Sequence, residues 1–219
     1  DDGDAVSETD VYSIAAYAYH QLNKADSADE LKSLCAELLR YGSAAQIFKG
    51  YRTDALADSA MTQEQKVWLM DLNTVTFANH NTQFEDLSAP IVLWVGKALV
   101  LDSKVTVRFV INSEAYVGDI TNLSLRLSYR KVDGTMAKVT LTDPVPYGAS
   151  DCYAFDFDDL MAAELRTVLN VAVYAGNAQV SNTLQYSADT YGNGKTGNLL
   201  RLCKSLFAYS DSARAFFTE

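Results

Sequence analysis

The two ends of this chain carry nearly the same apolar skeleton, and that repetition limits what it can fold into. Leu31, Leu34, Cys35, Leu38, Tyr41, Ala45 and Phe48 near the start match Leu199, Leu202, Cys203, Leu206, Tyr209, Ala213 and Phe216 near the end at a constant offset. Ahead of each run stands a related hexapeptide, Tyr12-Ser13-Ile14-Ala15-Ala16-Tyr17 in the first and Tyr186-Ser187-Ala188-Asp189-Thr190-Tyr191 in the second. Spacings of three and four put the apolar residues on one stripe of a helix. A helical unit used twice is a building block, which points to a modular protein and away from a single enzyme active site.

Between the two units the period changes from helical to alternating. Residues 10–23 read as a helix, with Ser7 or Thr9 as candidate caps. Ser27, with Glu30 three residues on, can cap a second helix over 28–40; Gly42 then interrupts, and 44–50 read as helical again, making a hairpin. Thr62, with Gln65 three residues on, opens a short helix through Met70. From Leu72 onward Val75 and Phe77 alternate with polar or small residues, as on a half-buried strand. Further strands follow at 91–101 and 104–111, with Asp102-Ser103 as the turn between them. Leu123, Leu125, Leu127 and Tyr129 alternate with Ser124, Arg126 and Ser128, and Asp133-Gly134 signals a hairpin into 136–141. Tyr153, Phe155 and Phe157 alternate, a helical turn covers 160–165, and 167–174 pairs with 178–186 around Gly176-Asn177. The chain then returns to helix at 197–209, with a shorter one to Phe217.

The fold class expected is α+β: an Ig-like antiparallel β-sandwich of seven or eight strands, with repeated helical hairpin units at the N- and C-terminal ends. The boundaries are 1–71 for the first helical unit, 72–186 for the sandwich and 187–219 for the second helical unit, packed with the first, or all of these as one domain.

Composition narrows the function classes. The 219 residues include 28 acids against 18 bases, a net charge of −10, which disfavours nucleic acid because phosphate binding needs clustered cations. No apolar run is long enough to cross a bilayer. The opening Asp1-Asp2-Gly3-Asp4 reads as a trimmed mature end or the tail of a linker, any signal peptide having been removed. Cys35, Cys152 and Cys203 lack the paired spacing of a zinc site. They read as reduced core thiols; a Cys35–Cys203 disulfide would need the two helices face to face.

No catalytic, cofactor-binding or metal-binding residue stands out. Gly192-Asn193-Gly194-Lys195-Thr196 resembles the end of a phosphate-binding loop, but Asp189 stands where its first glycine belongs. Asp156, Asp158 and Asp159 could hold Ca²⁺, the one cofactor admitted, and also read as outward strand positions followed by a cap. His20 and His80 lie at polar positions with no nucleophile at a recognisable spacing. Trp68 and Trp94 are the candidates for sugar stacking, although both sit among apolar neighbours and read as core.

The pattern Tyr-Ser-x-x-x-Tyr followed by Leu-x-x-Leu-x-x-x-Leu-x-x-Tyr-Gly-x-x-Ala-x-x-Phe resembles a module of large cell-surface proteins in anaerobic Gram-positive gut bacteria. The residues that carry it are Tyr12, Ser13, Tyr17, Leu31, Leu34, Leu38, Tyr41, Gly42, Ala45 and Phe48, with the stretch from Asn170 through Asn182 to Tyr186-Ser187. The second copy departs from it, with Ser210 in place of the glycine after Tyr209. The resemblance implies an extracellular, cell-surface location and a non-catalytic role in spacing, adhesion or ligand display. Partners would be neighbouring modules of the same polypeptide, or a host or cell-wall protein or glycan. A carbohydrate-binding module is the alternative, and an unrecognised hydrolase the second alternative.

Overall fold

The computed structural model describes residues 13–102 and 104–218. The candidate caps Ser7 and Thr9, Tyr12, the acidic opening and Ser103 of the expected turn lie outside the described residues. The architecture is α+β: three helices and two antiparallel sheets.

The helices are α1 (Ile14–Asn23), α2 (Asp29–Lys49) and α3 (Gly197–Thr218). The strands are β1 (Asn81–Gln83), β2 (Leu93–Leu101), β3 (Val105–Asn112), β4 (Leu123–Arg130), β5 (Met136–Leu141), β6 (Val145–Pro146), β7 (Cys152–Phe157), β8 (Leu169–Ala175), β9 (Ala178–Gln179) and β10 (Leu184–Tyr186). The larger sheet runs β1-β10-β8-β4-β5, with β9 paired to β8; the smaller runs β2-β3-β7-β6. Alternation decides the faces. Leu123, Leu125, Leu127, Tyr129, Val171 and Val173 of the larger sheet share one core with Val107, Phe109, Ile111, Phe155 and Phe157 of the smaller. Rings meet across it: Phe109 stands edge-on to Tyr186 at 6.0 Å, and Tyr129 lies 5.9 Å from Phe157.

α3 joins this core through Leu206, Phe207 and Ala208. It packs on the connections at one end of the sheets, the turn Ala162–Glu164 and the turn Ala188–Gly192, and leaves the outer sheet faces bare. α2 lies antiparallel against α3. Ser33 meets Ser212 at 3.2 Å, and the Tyr41 and Tyr209 rings stack 6.0 Å apart, 3° from parallel. The contact is reciprocal, since Tyr41 neighbours Cys203 while Tyr209 neighbours Cys35. Both cysteines are buried and free, and burial pushes each thiol up to about 11. A smaller cluster of Ala18, Leu22, Cys35, Ala36, Leu39 and Met61 holds α1 on α2.

Several expectations need correction. The hairpin drawn inside 28–50 is one unbroken helix: Gly42 sits mid-helix, where an added Cβ would stand 3.1 Å from the Ala57 Cβ, so glycine admits the returning loop rather than ending the helix. Ser27 caps nothing; its hydroxyl donates to Gln21. α3 is likewise one helix, so the C-terminal unit is not a hairpin. Its hexapeptide also differs from the first. Ser13 leads into α1 with Tyr17 exposed, whereas Tyr186 ends β10 in the core and Ser187 leads into a 3₁₀ turn. Leu202 is buried, but Leu34 is only half-buried. The Thr62–Gln65 box does form, with each backbone N–H bonded to the other's side chain at 2.9 and 3.2 Å.

The strand expected over 72–78 is not a strand. Val75 and Phe77 do point inward, but side chains rather than a neighbouring strand satisfy the backbone. Glu37 accepts the Met70 N–H (2.7 Å), and Arg40 donates to the Met70 carbonyl (2.6 Å). Lys204 donates to the Leu72 carbonyl (2.8 Å), and Arg166 to that of Thr76 (2.9 Å). Asp189 accepts the Ala78 N–H (3.2 Å), and Asn193 donates to its carbonyl (2.8 Å). Charged and amide groups from both long helices and the loops around them thus strap 70–78 between helices and sheets.

Candidate functional site

The outer face of the larger sheet holds a shallow concavity of about 510 Å³ over β5, β4 and β8. Period-two alternation puts Ser124, Arg126, Ser128 and Arg130 of β4 on this face, opposite the buried leucines. Pairing then sets neighbours side by side. Ser128 faces Lys138 on β5 and Asn170 on β8; Asn170 faces Gln185 on β10; Gln185 faces Thr82 on β1. One polar side chain from each of five strands therefore forms a continuous row, roughly 19 Å long at the usual spacing of adjacent strands. The parallel row carries Thr140, Arg126 and Ala172, and Tyr174 lies beyond it.

The row is partly preorganised. The Gln185 side-chain amide donates to the Asn170 oxygen at 2.8 Å, leaving the Asn170 amide N–H groups and the Gln185 oxygen for something outside. Arg126 lies over the Tyr174 ring at 4.2 Å and donates to the Gly176 carbonyl through one nitrogen, Nη2. None of the ion pairs among the described residues uses Arg126, Arg130 or Lys138. Beside Thr183 at the rim, Asp86 accepts from Thr183 and Gln179, and the Thr183 hydroxyl bond holds its carboxyl below the usual range.

A second cleft of about 410 Å³ lies beside β6, with Arg108, Asp143, Tyr147 and Asp156 among its walls. Its central charges are spent on each other: Arg108 grips Asp156 through two bonds of 2.7 and 2.6 Å. Asp158 is bonded to Lys104 at 2.8 Å. Two of the three acids considered for Ca²⁺ are thus paired with cations, and no cluster of three metal-ligating side chains occurs among the described residues.

Trp94 stands edge-on to Phe109, and its indole N–H donates to the Asn182 carbonyl at 2.7 Å. Trp68 packs on the separate α1–α2 cluster, with the Lys32 ammonium 5.5 Å from its ring centre. It also walls an open groove with Met70 and Ala215, rimmed by Asp29, Glu30 and Asp211. Neither tryptophan lines the polar sheet face. His20 and His80 are exposed. In the glycine-rich segment, Asp189 is buried and bonded to Arg166 and Ser187, Gly192 lies against the Phe77 ring, and Lys195 covers Tyr191.

The sheet face escaped sequence reasoning because its residues come from five separate strands. Ser128, Asn170 and Gln185 are legible as outward positions, but only register makes them neighbours. Comparison with known protein families, curated proteins and solved structures gives no match. No helix among the described residues is long and apolar enough to cross a membrane.

Proposed function

We propose that this chain is a non-catalytic module of a larger extracellular, cell-surface protein, and that it binds glycan on the outer face of the six-stranded sheet. The observation that carries this reading is the row Lys138, Ser128, Asn170, Gln185 and Thr82. A polar outer face is ordinary for an antiparallel sheet. A concave one, without a single acid among its lining residues in a chain of 28 acids, is not accounted for by solvation alone. Sugar hydroxyls both donate and accept, and amides and hydroxyls answer both. Strand pairing holds the row rigid, so little order is lost on binding.

Absence of catalysis is the simplest reading of the acids nearest the second cleft. Both Asp156 oxygens accept from Arg108, so this acid does not stand free opposite a second one. The same reading takes the sheets as an Ig-like sandwich and the two long helices as copies of one unit. Their antiparallel stacking at one end leaves the sheet face free for ligand.

A glycan array probed with the native chain and with the Asn170→Ala/Gln185→Ala double variant tests the proposal. Specific binding that the variant loses, at unchanged melting temperature, is the expected result. No binding to any glycan, or binding that the variant retains, overturns it.

A further inference from the structure

We infer that the glycan taken by this face carries carboxylate groups, so that the ligand is an acidic polysaccharide; this rests on the glycan reading above. Of the outward side chains of β4, β5, β8 and β10, three are cations (Arg126, Arg130 and Lys138) and none is an acid. The chain as a whole is the reverse, at −10. Of the two other strand cations, Arg108 is paired with Asp156, while Lys97 has no anion and bonds the Asn81 side-chain oxygen; Lys104, just ahead of β3, is paired with Asp158. Of the four strand cations that take part in no ion pair among the described residues, three therefore stand on the one face that also carries the polar row.

Arg126 is the cation that the structure orients. Its guanidinium is oriented by the Tyr174 ring and by the Gly176 carbonyl. Nε and Nη1 donate to nothing among the described residues. A two-bond fork needs Nη2, as Arg108 and Arg166 show with Nε and Nη2 on their carboxylates, and the Arg126 Nη2 is already bonded to Gly176. Arg126 therefore offers an anion single bonds from Nε and from Nη1. Lys138 stands one row over, a point charge at the end of the amide and hydroxyl row. A polymer lying along Ser128, Asn170 and Gln185 can place one ring hydroxyl after another on that row. Its carboxylates then reach Arg126 and Lys138. A peptide ligand is less suited, because the free strand edges, β1 and β5, lie at the far sides of the face.

The test is calorimetric titration with oligomers of polygalacturonate and with the same oligomers after chemical reduction of their carboxyl groups to alcohols. Expected is binding of the acidic oligomer, roughly ten- to a hundredfold weakened by reduction and by Arg126→Gln/Lys138→Gln alike. It should weaken further as salt rises, because the cations are exposed. Equal binding of acidic and reduced oligomers leaves the glycan reading standing and overturns the carboxylate. Equal binding of polyphosphate overturns it too, by reducing the effect to general polyanion attraction. If neither oligomer binds, the acidic assignment falls, and the array above then decides the glycan reading separately. The reduced oligomer requires no variant, so a variant that failed to fold would not rescue the inference.

Discussion

Arg166 and Arg126 each lie over an aromatic ring, Phe207 at 5.1 Å and Tyr174 at 4.2 Å, yet they belong to opposite kinds of site. Arg166 spends its fork inside the molecule: two bonds to Asp211 (2.6 and 2.8 Å), one to Asp189 (3.2 Å) and one to the Thr76 carbonyl. Arg126 gives the protein only Nη2 and leaves Nε and Nη1 without a partner among the described residues. The difference separates architecture from display. A charge whose partners are protein groups ties one segment to another, and its loss is felt in stability. An oriented charge left without an anion costs little to remove from the fold, and its loss is felt in binding.

The largest effect should come from the strap. Glu37 is fully buried and holds both Arg40 and the Met70 N–H. Burial pushes its carboxyl above the usual range, and Arg40 pulls it back. Glu37→Ala leaves Arg40, itself 8 % exposed, without its anion. The expected loss is about 3–5 kcal/mol of unfolding free energy by denaturant titration. Replacing both partners, as Glu37→Met/Arg40→Leu, should recover much of it, because the cost lies in the orphaned charge rather than in the missing pair. A Glu37→Ala variant within about 0.5 kcal/mol of wild type, the range of an ordinary surface change, would erase the distinction between strap and face.

Gly192→Ala should cost less, about 1–3 kcal/mol, through overpacking. The new Cβ would fall on the Phe77 ring, which is already edge-on to Phe207 at 5.8 Å, so the strap cannot move aside freely. Thermal melts read this effect, and glycan binding below the transition should not change. Arg126→Gln/Lys138→Gln should do the reverse, leaving stability within about 0.5 kcal/mol while binding of the acidic oligomer weakens roughly ten- to a hundredfold. A large drop in melting temperature for that variant would move Arg126 into the architectural class.

The sequence made the strands on either side of Asp133-Gly134 legible, because leucines at every second position leave one way to face them. It made the apolar stripes of α2 and α3 legible for the same reason, at helical spacing. It misled at 72–78 and at Gly42. In the first, inward alternation of Val75 and Phe77 is real, but nothing local says that the backbone bonds go to Arg166, Asp189, Asn193 and Lys204 from remote segments. In the second, a glycine reads as a break unless one knows that Ala57 returns against it. The sheet face failed for a third reason. Tryptophans draw the eye as sugar platforms, whereas the row is built from Ser, Asn, Gln, Thr and Lys, each unremarked in its own strand.

The last expected effect is read against pH, and it sharpens the comparison because it touches only the interior. Cys35 and Cys203 ionise at about 11 in the folded protein, against 9.0 for an unburied thiol. A raised folded value means that the contribution to stability is whole below pH 9.0, where both states are protonated. Between 9.0 and about 11 only the unfolded chain gives up these protons, so unfolding becomes easier as pH rises; above that range the contribution is gone. The buried phenols of Tyr41 and Tyr209, also raised by desolvation, act in the same direction. Unfolding midpoints measured across this range should fall steadily, and Cys35→Ala/Cys203→Ala should flatten part of that fall. The sheet-face variant should follow the wild-type curve throughout, since neither thiol lies near Arg126 or Lys138. A face variant with a different alkaline slope would mean that the sheet face and the helix pair are coupled, and the line drawn between display and architecture would have to move.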